Sequence, residues 1–468
     1  MEKLDFYLIL ASNSKYNSSM SEVIKIKKGL NIPLAGKAEK IFGQSRLPDL
    51  FAIKPTDFKG VVPKVVAKEG DAVKIGTVLF QDKYHPEIKF VSPVSGTLKS
   101  VIRGERRRIL EVIVESDGKD EYVDFGAANP ASLDRDAVIN RLLQSGAWPY
   151  LRQRPYDVIA NPQDTPKAIF ISGFDSSPLA PDVDFVLTGQ EDALKAGIEV
   201  LKKLCPEVHI GISSDAASKV FNTLQGVKLH AFSGPHPAGN VGVQIHHVMP
   251  INKGEKVWVI QPQEIVSIGS IFTKGHHDFS RVIAVTGSEV EKPAYYRYRL
   301  GASVEELVAH IKNNTSLRFI SGNVLTGEKI TSDGFIGFYH SQITVIPEGD
   351  EYEFLGWALP GFGKFSVSRS YFSWLFPKKE FKLNANMHGG ERAIVVSGQY
   401  DAVLPMDILS EFLIKAIMME DIDKMEQLGI YEVVEEDLAL CEFVDTSKIE
   451  LQAILRKGID LMIKEMGA

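Results

Sequence analysis

Basic and aromatic residues crowd one short segment of the chain, Trp148-Pro-Tyr-Leu-Arg-Gln-Arg-Pro-Tyr156. Arg152, Arg154 and Tyr156 carry hydrogen-bond donors that suit a quinone carbonyl, and a neighbouring ring such as Trp148 could cover the apolar face of that ligand. The same arginines could instead bridge two domains or meet acidic groups on another protein chain. The segment is therefore a candidate for ligand binding or for subunit contact.

A second motif, Gly234-Pro-His-Pro-Ala-Gly-Asn-Val-Gly242, is rich in glycine and proline. Glycine-rich turns bind phosphate when they lead from a strand into the N-terminus of a helix, because several backbone amides then point at the anion. Here two prolines remove two of those amides, and the spacing matches neither the dinucleotide fingerprint nor the P-loop. The motif therefore favours a rigid structural turn over nucleotide binding.

The histidines and cysteines do not predict a metal site or a catalytic set. His246-His247 and His276-His277 are adjacent pairs, and neighbours on a strand point to opposite faces, so a pair cannot converge on one ion. Cys205 and Cys441 belong to no Cys-x-x-Cys run, which argues against zinc and iron–sulfur clusters. Acidic neighbours in Glu435-Glu-Asp437 should raise the pKa of the Cys441 thiol, so we interpret it as a packing residue. We expect no catalytic residue in this chain.

The composition is that of a folded protein with several domains. The chain has 468 residues, of which 44% are hydrophobic and 24% charged, and these values are normal for globular proteins. A formal net charge of -7 argues against a nucleic-acid partner, because phosphate binding depends on clustered Lys and Arg. No run reaches the roughly 18 consecutive apolar residues that a membrane span requires. We therefore expect a cytoplasmic chain whose membrane attachment comes through partners.

Short strands and turns predict a β domain over residues 23–125, preceded by an extension at residues 1–22 that we expect to be poorly ordered. The regular pattern starts with the alternating segment Val23–Gly29. Glycine turns then separate apolar positions in Lys68–Phe80 and in Val91–Val101. This arrangement resembles the biotinyl/lipoyl family, whose fold is a flattened antiparallel barrel-sandwich.

Lys83 matches the position at which carrier members of that family bear their prosthetic group, the tip of a hairpin. In this chain Asp82-Lys83 is followed by Tyr84-His85-Pro86, and proline cannot donate to the ladder beyond such a tip. We interpret the domain as a structural barrel with an unmodified Lys83. The alternative is a lipoyl-type or biotin-type carrier protein that acts in group transfer.

Residues 130–280 alternate strand-like and helix-like runs and predict a Rossmann-like α/β domain. Lys167–Gly173 has the pattern of a buried strand that ends at a glycine. Glu191–Leu204 places apolar residues on one face and predicts an amphipathic helix, and Val208–Ile212 predicts the next strand.

The remaining chain predicts two smaller regions. Residues 281–335 resemble the SLBB β-grasp module of electron-transfer subunits, with a helix that starts at a capping box formed by Ser303 and Glu306. Residues 336–468 predict a C-terminal β and helical region. Its helices are expected at Asp407–Met419, Lys424–Leu428 and Leu451–Met466.

Several short sequence segments, taken together and in this order, indicate one family. They are Ile24–Gly36, Ser145–Trp148, Leu151–Pro155, Gly234–Gly239, Ser321–Leu325, Gly356-Trp357, Lys364–Arg369, Leu404–Asp407 and Glu435–Cys441. The sequences of these segments are similar to those of the A subunits of the sodium-translocating NADH:quinone reductase. The resemblance extends from about Val23 to the end of the chain.

The resemblance implies a peripheral subunit that is not catalytic by itself and binds no cofactor. It implies a place on the cytoplasmic side of the bacterial inner membrane, where the partners would be the B to F subunits, chiefly the membrane-embedded B subunit. FAD, FMN, riboflavin and iron–sulfur clusters would then lie on other subunits, which pass electrons from NADH to ubiquinone or menaquinone and export sodium. The α/β domain would resemble the flavin subunit of respiratory NADH dehydrogenase without its chemistry.

The family resemblance leaves open whether the quinone is bound by this chain or by the B subunit. A quinone headgroup needs a few donors in an apolar cleft. Arg152, Arg154 and Tyr156 form the first candidate set for that role, and Phe58 and Gly60, in the loop Phe58-Lys-Gly60 near the barrel, form the second.

Overall fold

The computed structural model describes residues 22–215, 218–309, 311, 316–349, 353–356 and 358–466. Nearly all of the extension expected at residues 1–22 lies outside these ranges, as does Trp357 of the Gly356-Trp357 pair. Within them the chain forms a barrel-sandwich, a Rossmann-like α/β layer, an SLBB-type sheet and a group of C-terminal helices. The fold class predicted from the sequence is therefore confirmed.

The first strand, β1 (Ile24–Lys25), does not belong to the barrel. It pairs in parallel with the strand Lys228–Ser233 of the α/β sheet, and the backbone amide of Ile26 continues this pairing by donating to Ser233 O at 2.7 Å. Gly29 ends the segment with φ +142, where a Cβ atom would lie 2.2 Å from His236 O. The strand expected over Val23–Gly29 is thus shorter than predicted and extends a different sheet from the one expected.

Seven short strands build the barrel-sandwich. They are β2 (Leu50–Ile53), β3 (Pro63–Val65), β4 (Ala72–Val73), β5 (Val78–Asp82), β6 (Lys89–Val91), β7 (Gly96–Arg103) and β8 (Ile109–Ser116). One sheet has the order β2-β8-β7-β4 and the other the order β3-β5-β6, with every pair antiparallel. Leu79, Leu98, Val112 and Val114 are fully buried, and they belong to an apolar core that continues into the α/β domain and the SLBB-type sheet.

The α/β domain contains a seven-stranded sheet with the order β1-β13-β12-β11-β14-β9-β10. Its further strands are β9 (Arg152–Arg154), β10 (Val158–Ile159), β11 (Ala168–Ser172), β12 (Val208–Ser213), β13 (Lys228–Ser233) and β14 (Val257–Val259). Its helices are α1 (Arg135–Gln144), α2 (Val183–Val186), α3 (Glu191–Leu204), α4 (Val241–Val248) and α5 (Pro262–Lys274). Within this sheet, neighbouring strands among β1, β13, β12, β11 and β14 pair in parallel. Strand β9 pairs antiparallel with β14, and β10 pairs antiparallel with β9 at that edge of the sheet.

Helix α3 has the bounds that the sequence predicted. Leu194, Ile198, Leu201 and Leu204 form its buried face. Gly197 lies against α5, and a Cβ atom there would be 2.2 Å from Ile265 O. The two helices can therefore approach more closely than a larger side chain would allow.

The SLBB-type sheet has the order β16-β15-β19-β17-β18. Its elements are β15 (Ser280–Thr286), β16 (Ala294–Arg299), α6 (Glu305–Val308), β17 (Leu317–Ser321), β18 (Glu328–Ile330) and β19 (Gln342–Pro347). Strand β19 is central to the sheet, because it pairs with both β15 and β17, so the sheet continues past the boundary expected at residue 335. Val304 caps α6 without a side-chain bond, so the Ser303 and Glu306 capping box is not formed.

Five helices end the chain: α7 (Gln399–Val403), α8 (Ser410–Met418), α9 (Ile422–Gln427), α10 (Glu435–Val444) and α11 (Leu451–Met466). Helix α11 has its predicted bounds, α8 and α9 lie within a few residues of theirs, and α10 was not predicted. Leu413, Leu438 and Leu455 are fully buried in the core that these helices share with β1 and β13. Across the described ranges, no helix has the length and apolar character needed to cross a bilayer.

Candidate functional site

Two adjoining cavities lie where the four regions of the chain meet. The first has a volume of 210 Å³ and lies beyond the carboxyl ends of β11 and β14. The second has a volume of 450 Å³ and reaches from the barrel to the C-terminal helices. We call their shared lining the junction site, and it consists of Arg152, Gln261, Thr326, Tyr339, His340 and Glu436.

Arg152 is the predicted candidate that lines both cavities. Its Nη1 donates to Asp157 Oδ1 at 3.1 Å, and its guanidinium lies over the Tyr339 ring, 4.8 Å from the ring centroid. Its buried Nε has no hydrogen-bond partner among the described residues. Burial opposes ionisation of Asp157, but attraction to Arg152 and Arg154 outweighs that effect and lowers the pKa of Asp157.

Arg154 points to the same side of β9 as Arg152, because residues two apart on a strand share a face. It is almost fully buried and binds two carboxylates of α10: Nη1 donates to Asp437 Oδ2 and Nη2 to Glu436 Oε1, each at 2.6 Å. Burial outweighs the attraction of Arg154 and raises the pKa of Glu436. Arg154 thus joins the edge of the α/β sheet to a C-terminal helix.

A second ion cluster joins the barrel to the SLBB-type sheet, with Lys54 and Asp57 buried and Glu328 half exposed. Lys54 Nζ lies 3.2 Å from Asp57 Oδ1 and 2.9 Å from Glu328 Oε2. Asp57 Oδ2 also accepts from the backbone amide of Phe338 at 2.7 Å. Burial raises the pKa of Asp57 to about 6 against the lowering effect of Lys54.

The remaining predicted candidates do not line the junction site with a functional group. Trp148 is fully buried and its Nε1 donates to Ala160 O at 2.6 Å. Tyr156 lies in the core of the C-terminal helices, with its ring 6.4 Å from that of Tyr431. Phe58 packs against Phe90, Phe338 and Tyr339. Gly60 is a turn residue with φ +76. The structure therefore brings Arg152 and Arg154 together, places Trp148, Tyr156 and Phe58 among packed side chains, and places Gly60 in a turn.

The Gly234–Gly242 motif connects β13 to α4, which is the arrangement that can bind phosphate. However, loop amides already donate to oxygens of the chain itself: those of His236, Ala238, Gly239 and Asn240 bind Asn31 Oδ1, Pro235 O, Ser176 Oγ and Pro237 O. At Gly242, in the first turn of α4, a Cβ atom would lie 2.3 Å from Asp437 Oδ1 and 2.4 Å from Arg154 Nη1. The ion cluster of α10 thus lies beside this turn, while His236, Gly239, Asn240 and Val241 line the first cavity.

The paired histidines lie on different elements from those assumed. His246 and His247 are on helix α4, not on a strand, and they bind separate partners: His246 Nδ1 contacts Glu432 at 2.7 Å, and His247 Nε2 contacts Pro405 O at 3.0 Å. His277 is buried against Tyr150 and Ser145 O. Among the described residues no group of three His, Cys, Asp or Glu side chains could hold a metal ion.

Cys441 and Lys83 occupy the places that the sequence indicated. Cys441 is fully buried. Burial raises the pKa of its thiol, and the negative charge of nearby Asp401 raises it further. Cys205 is also buried as a free thiol. Lys83 is exposed at the turn between β5 and β6, where its Nζ lies 5.5 Å from the Tyr84 ring centroid.

Sequence reasoning missed Asp57, Tyr339, His340 and Glu328. These residues are far from Arg152 in the chain, and each belongs to a different strand or loop from the arginines. The phrase Glu435-Glu-Asp437 offered one usable signal, since acidic residues are favourable in the first turn of a helix.

Three family descriptions match the chain in order. Residues 24–117 match the "NqrA N-terminal barrel-sandwich hybrid domain", residues 133–277 the "NqrA second alpha/beta domain", and residues 282–332 the "NQRA C-terminal domain". Relatives named as the A subunit of Na⁺-translocating NADH-quinone reductase match nearly the whole length. The protein of Yersinia pestis bv. Antiqua (strain Angola) is 38% identical over 439 residues, which is 93% of this chain and 98% of the relative.

Relatives of the same name from two other organisms give the same result. The protein of Rhodopirellula baltica is 36% identical over 96% of this chain and 100% of its own length. That of Neisseria meningitidis serogroup B is 38% identical over 95% of this chain and 100% of its own length. This chain belongs to the NqrA family.

Solved structures of a different protein resemble the chain only weakly. Two structures of a NAD⁺-reducing [NiFe]-hydrogenase, air-oxidised and H₂-reduced, align with TM-scores of 0.35 and 0.37 at 12% identity. Each alignment covers 72% of this chain and 62% of the hydrogenase chain. The assignment to the NqrA family therefore rests on the sequence matches.

Proposed function

We propose that this chain is a peripheral subunit of a Na⁺-translocating NADH-quinone reductase, in which it supports electron transfer from NADH to ubiquinone or menaquinone coupled to sodium export. The observation that carries the proposal is the identity of 36–38% over nearly the full length of relatives named as the A subunit of that reductase. The chain acts on the cytoplasmic side of the inner membrane. Its partners are the B to F subunits, and its main contact is the membrane-embedded B subunit.

In this proposal the chain binds no redox cofactor, and FAD, FMN, riboflavin and iron–sulfur clusters lie on other subunits. Support comes from the turn that leads into α4. Its amides at 236, 238, 239 and 240 are already bonded within the chain, and the Asp437 carboxylate lies beside its first helical turn. A nucleotide phosphate at this place would lack the amides of residues 236 and 238–240 as donors and would lie near the carboxylates of Glu436 and Asp437, a contact that is repulsive.

Arg152 is the residue through which the chain would contribute to quinone binding. Its side chain is 19% exposed, lines both cavities and lies over the Tyr339 ring. A quinone carbonyl can accept from a guanidinium N–H that faces a cavity, whereas Arg154 is held by two carboxylates. Within the proposal Arg152 therefore contacts the headgroup and Arg154 maintains the fold.

The deciding experiment is affinity purification of the tagged chain from native membranes in mild detergent. We expect multi-span reductase subunits to co-purify, identified by mass spectrometry, together with NADH:quinone reductase activity. Recovery of the chain alone from membranes that retain this activity would overturn the proposal. The intact mass of the purified chain tests the carrier alternative, because lipoyl or biotinyl modification of Lys83 would increase it.

A further inference from the structure

A loop between the SLBB-type sheet and the C-terminal helices exposes many large apolar side chains. We call residues 353–356 and 358–382 the aromatic loop. The exposed side chains are 49–81% accessible, and they are Phe354, Leu355, Leu359, Phe362, Val367, Phe372, Trp374, Leu375 and Phe376. The Phe362 ring centroid lies 6.0 Å from that of Phe372 and 6.4 Å from that of Phe376, and an exposed apolar patch on a globular protein is a mark of an interaction site.

The loop is fixed to the body of the chain from beneath. The Phe365 ring lies 5.7 Å from that of Phe381 and 6.3 Å from that of Phe443 on α10. The backbone of Phe381 exchanges two hydrogen bonds with the segment after β1, donating to Pro33 O at 2.7 Å and accepting from the Ala35 amide at 3.0 Å. The middle of the loop and its C-terminal end are therefore tied to two other regions.

Hydrogen bonds within the loop also hold the exposed rings in place. Ser373 Oγ donates to Lys364 O, and Lys379 Nζ donates to Phe362 O at 2.8 Å. The Phe362 ring lies 6.0 Å from the Phe372 ring. The exposed apolar groups thus form a surface of defined shape.

The charge of the loop is opposite to that of the whole chain. Between Phe365 and Lys382 four side chains are basic and one, Glu380, is acidic, whereas the chain carries a formal charge of -7. Lys382 pairs with Glu289 at 2.7 Å. Arg369 and Lys378 are exposed and form no ion pair with any residue in the described ranges. Their charges are available to carboxylates on a partner.

We propose that the aromatic loop is the docking surface for a membrane-embedded protein subunit whose contact face is apolar with carboxylates at its rim. The inference rests on the proposed function and adds the surface through which that assembly forms. Trp, Tyr and Arg around a desolvated centre are typical of the residues that carry protein–protein binding energy. Lipid-binding segments are instead usually amphipathic helices, and the only helical turn among the described residues of this loop is Phe372–Leu375.

The test replaces exposed rings of the loop in the full chain, produced together with the other subunits of the complex. The double variant Phe372→Ser with Trp374→Ser should recover membrane subunits in amounts reduced about tenfold or more, the scale for loss of two central contacts. The matched control, Val66→Ser with Tyr84→Ser, removes side chains that are 51% and 68% exposed on the barrel and should assemble as the wild type does. Equal thermal midpoints of the isolated chains show that folding is preserved.

A charge variant tests the rim. Arg369→Glu with Lys378→Glu should reduce recovery of membrane subunits, whereas Lys64→Glu with Lys68→Glu on the barrel should not. Co-purification of the ring variant at the wild-type level would overturn the docking surface and leave the proposed function intact. Failure of the wild type itself to co-purify would overturn both.

Vesicles distinguish a lipid from a protein partner. The isolated wild-type chain should remain unbound after flotation with vesicles of phosphatidylcholine and phosphatidylglycerol, because the fixed surface requires a complementary protein face. Binding of the wild type to these vesicles, lost in the ring variant, would overturn the inference in favour of a lipid surface.

Discussion

The junction site and the aromatic loop both reverse the usual distribution of side chains, in opposite directions. The ion cluster beside the junction site buries charge: the side chains of Arg154 and Asp437 are 2% and 0% exposed. The loop exposes rings: Phe354 is 81% exposed. In most proteins charged groups face water and large rings lie in the core.

The two regions differ in whether their unusual side chains have partners within the chain. Arg154 meets its opposite charges, Glu436 and Asp437, in another region of the same chain, and removing one member of such a buried pair is strongly destabilising. The exposed rings find no cover on their outer faces from the described residues. We therefore expect changes in the junction to affect the stability of the chain, and changes in the loop to affect assembly.

The largest effect is expected from Arg154→Ala. The substitution leaves Asp437 and Glu436 near one another without their guanidinium partner, and breaking a buried pair in this way costs about 3–5 kcal/mol. The midpoint of urea unfolding of the isolated chain should fall accordingly. Arg297→Ala is the matched control, because this arginine is exposed over the Phe42 ring and its loss should change the midpoint little.

A double variant sharpens the same comparison. Adding Asp437→Asn to Arg154→Ala removes the uncompensated charge, so it should restore part of the lost stability. An unfolding curve for Arg154→Ala that superimposes on that of the wild type would contradict the view that the junction ties the domains together.

The next effect concerns the pH dependence produced by Asp57. Its folded pKa of about 6 is above the usual value of roughly 4 for aspartate, so its contribution to stability is fully present below pH 4 and is lost as pH rises through 6. The wild type should therefore lose roughly 2–3 kcal/mol relative to Asp57→Asn between pH 4 and pH 7. Unfolding free energies measured across that range give the result.

Asp278 provides a control of opposite sign. Burial alone would raise the pKa of Asp278, but bonds from Lys274 and Ser280 outweigh it and lower that pKa. Its contribution to stability is present above pH 4 and lost as pH falls, so the wild type should lose stability relative to Asp278→Asn on acidification. Parallel pH profiles for Asp57→Asn and the wild type would contradict the raised pKa.

A smaller effect is expected from Arg152→Ala in the assembled complex. Loss of a hydrogen bond from a charged donor costs about 1–3 kcal/mol, which raises the apparent KM for quinone by roughly tenfold to hundredfold. NADH oxidation with an artificial acceptor should stay normal. An unchanged KM in a fully assembled variant would remove Arg152 from quinone binding and leave it as a structural residue of the junction.

The smallest effect is expected from Lys83→Ala. This lysine is exposed to solvent at the tip of a hairpin, as charged side chains usually are. It is neither part of a buried ion pair, as Arg154 is, nor part of the exposed apolar surface of the aromatic loop. Turnover of the assembled complex should be nearly unchanged. A loss of turnover with normal assembly would support the carrier interpretation of the barrel domain.

Much of the fold could be predicted because its signals are local. The amphipathic period of Glu191–Leu204 and of Leu451–Met466 gave helix bounds that agree with the structure. The pairing of β1 with β13 could not be predicted, since it joins residues about two hundred positions apart. The predicted boundary at residue 335 likewise left strand β19 outside its sheet. Its pairing with β15 and β17 depends on distant residues and not on its own sequence pattern.

The candidate site was predicted only in part. The arginines of β9 are visible as a cluster in the sequence, but their partners come from the C-terminal region. Asp437, which binds Arg154, is 283 positions away. Residue types indicated that Arg152 and Arg154 could bind a ligand or an acidic group, and the fold decided that Arg154 binds acidic groups of the same chain.

The burial of both cysteines has a practical consequence for labelling. The chain contains two cysteines, and both are free and buried. Thiolates are the reactive form, and burial raises the pKa of both thiols, so the folded chain should react slowly with maleimides. A single cysteine introduced at an exposed position could then carry a spin label, a fluorophore or a cross-linker without prior removal of the native thiols.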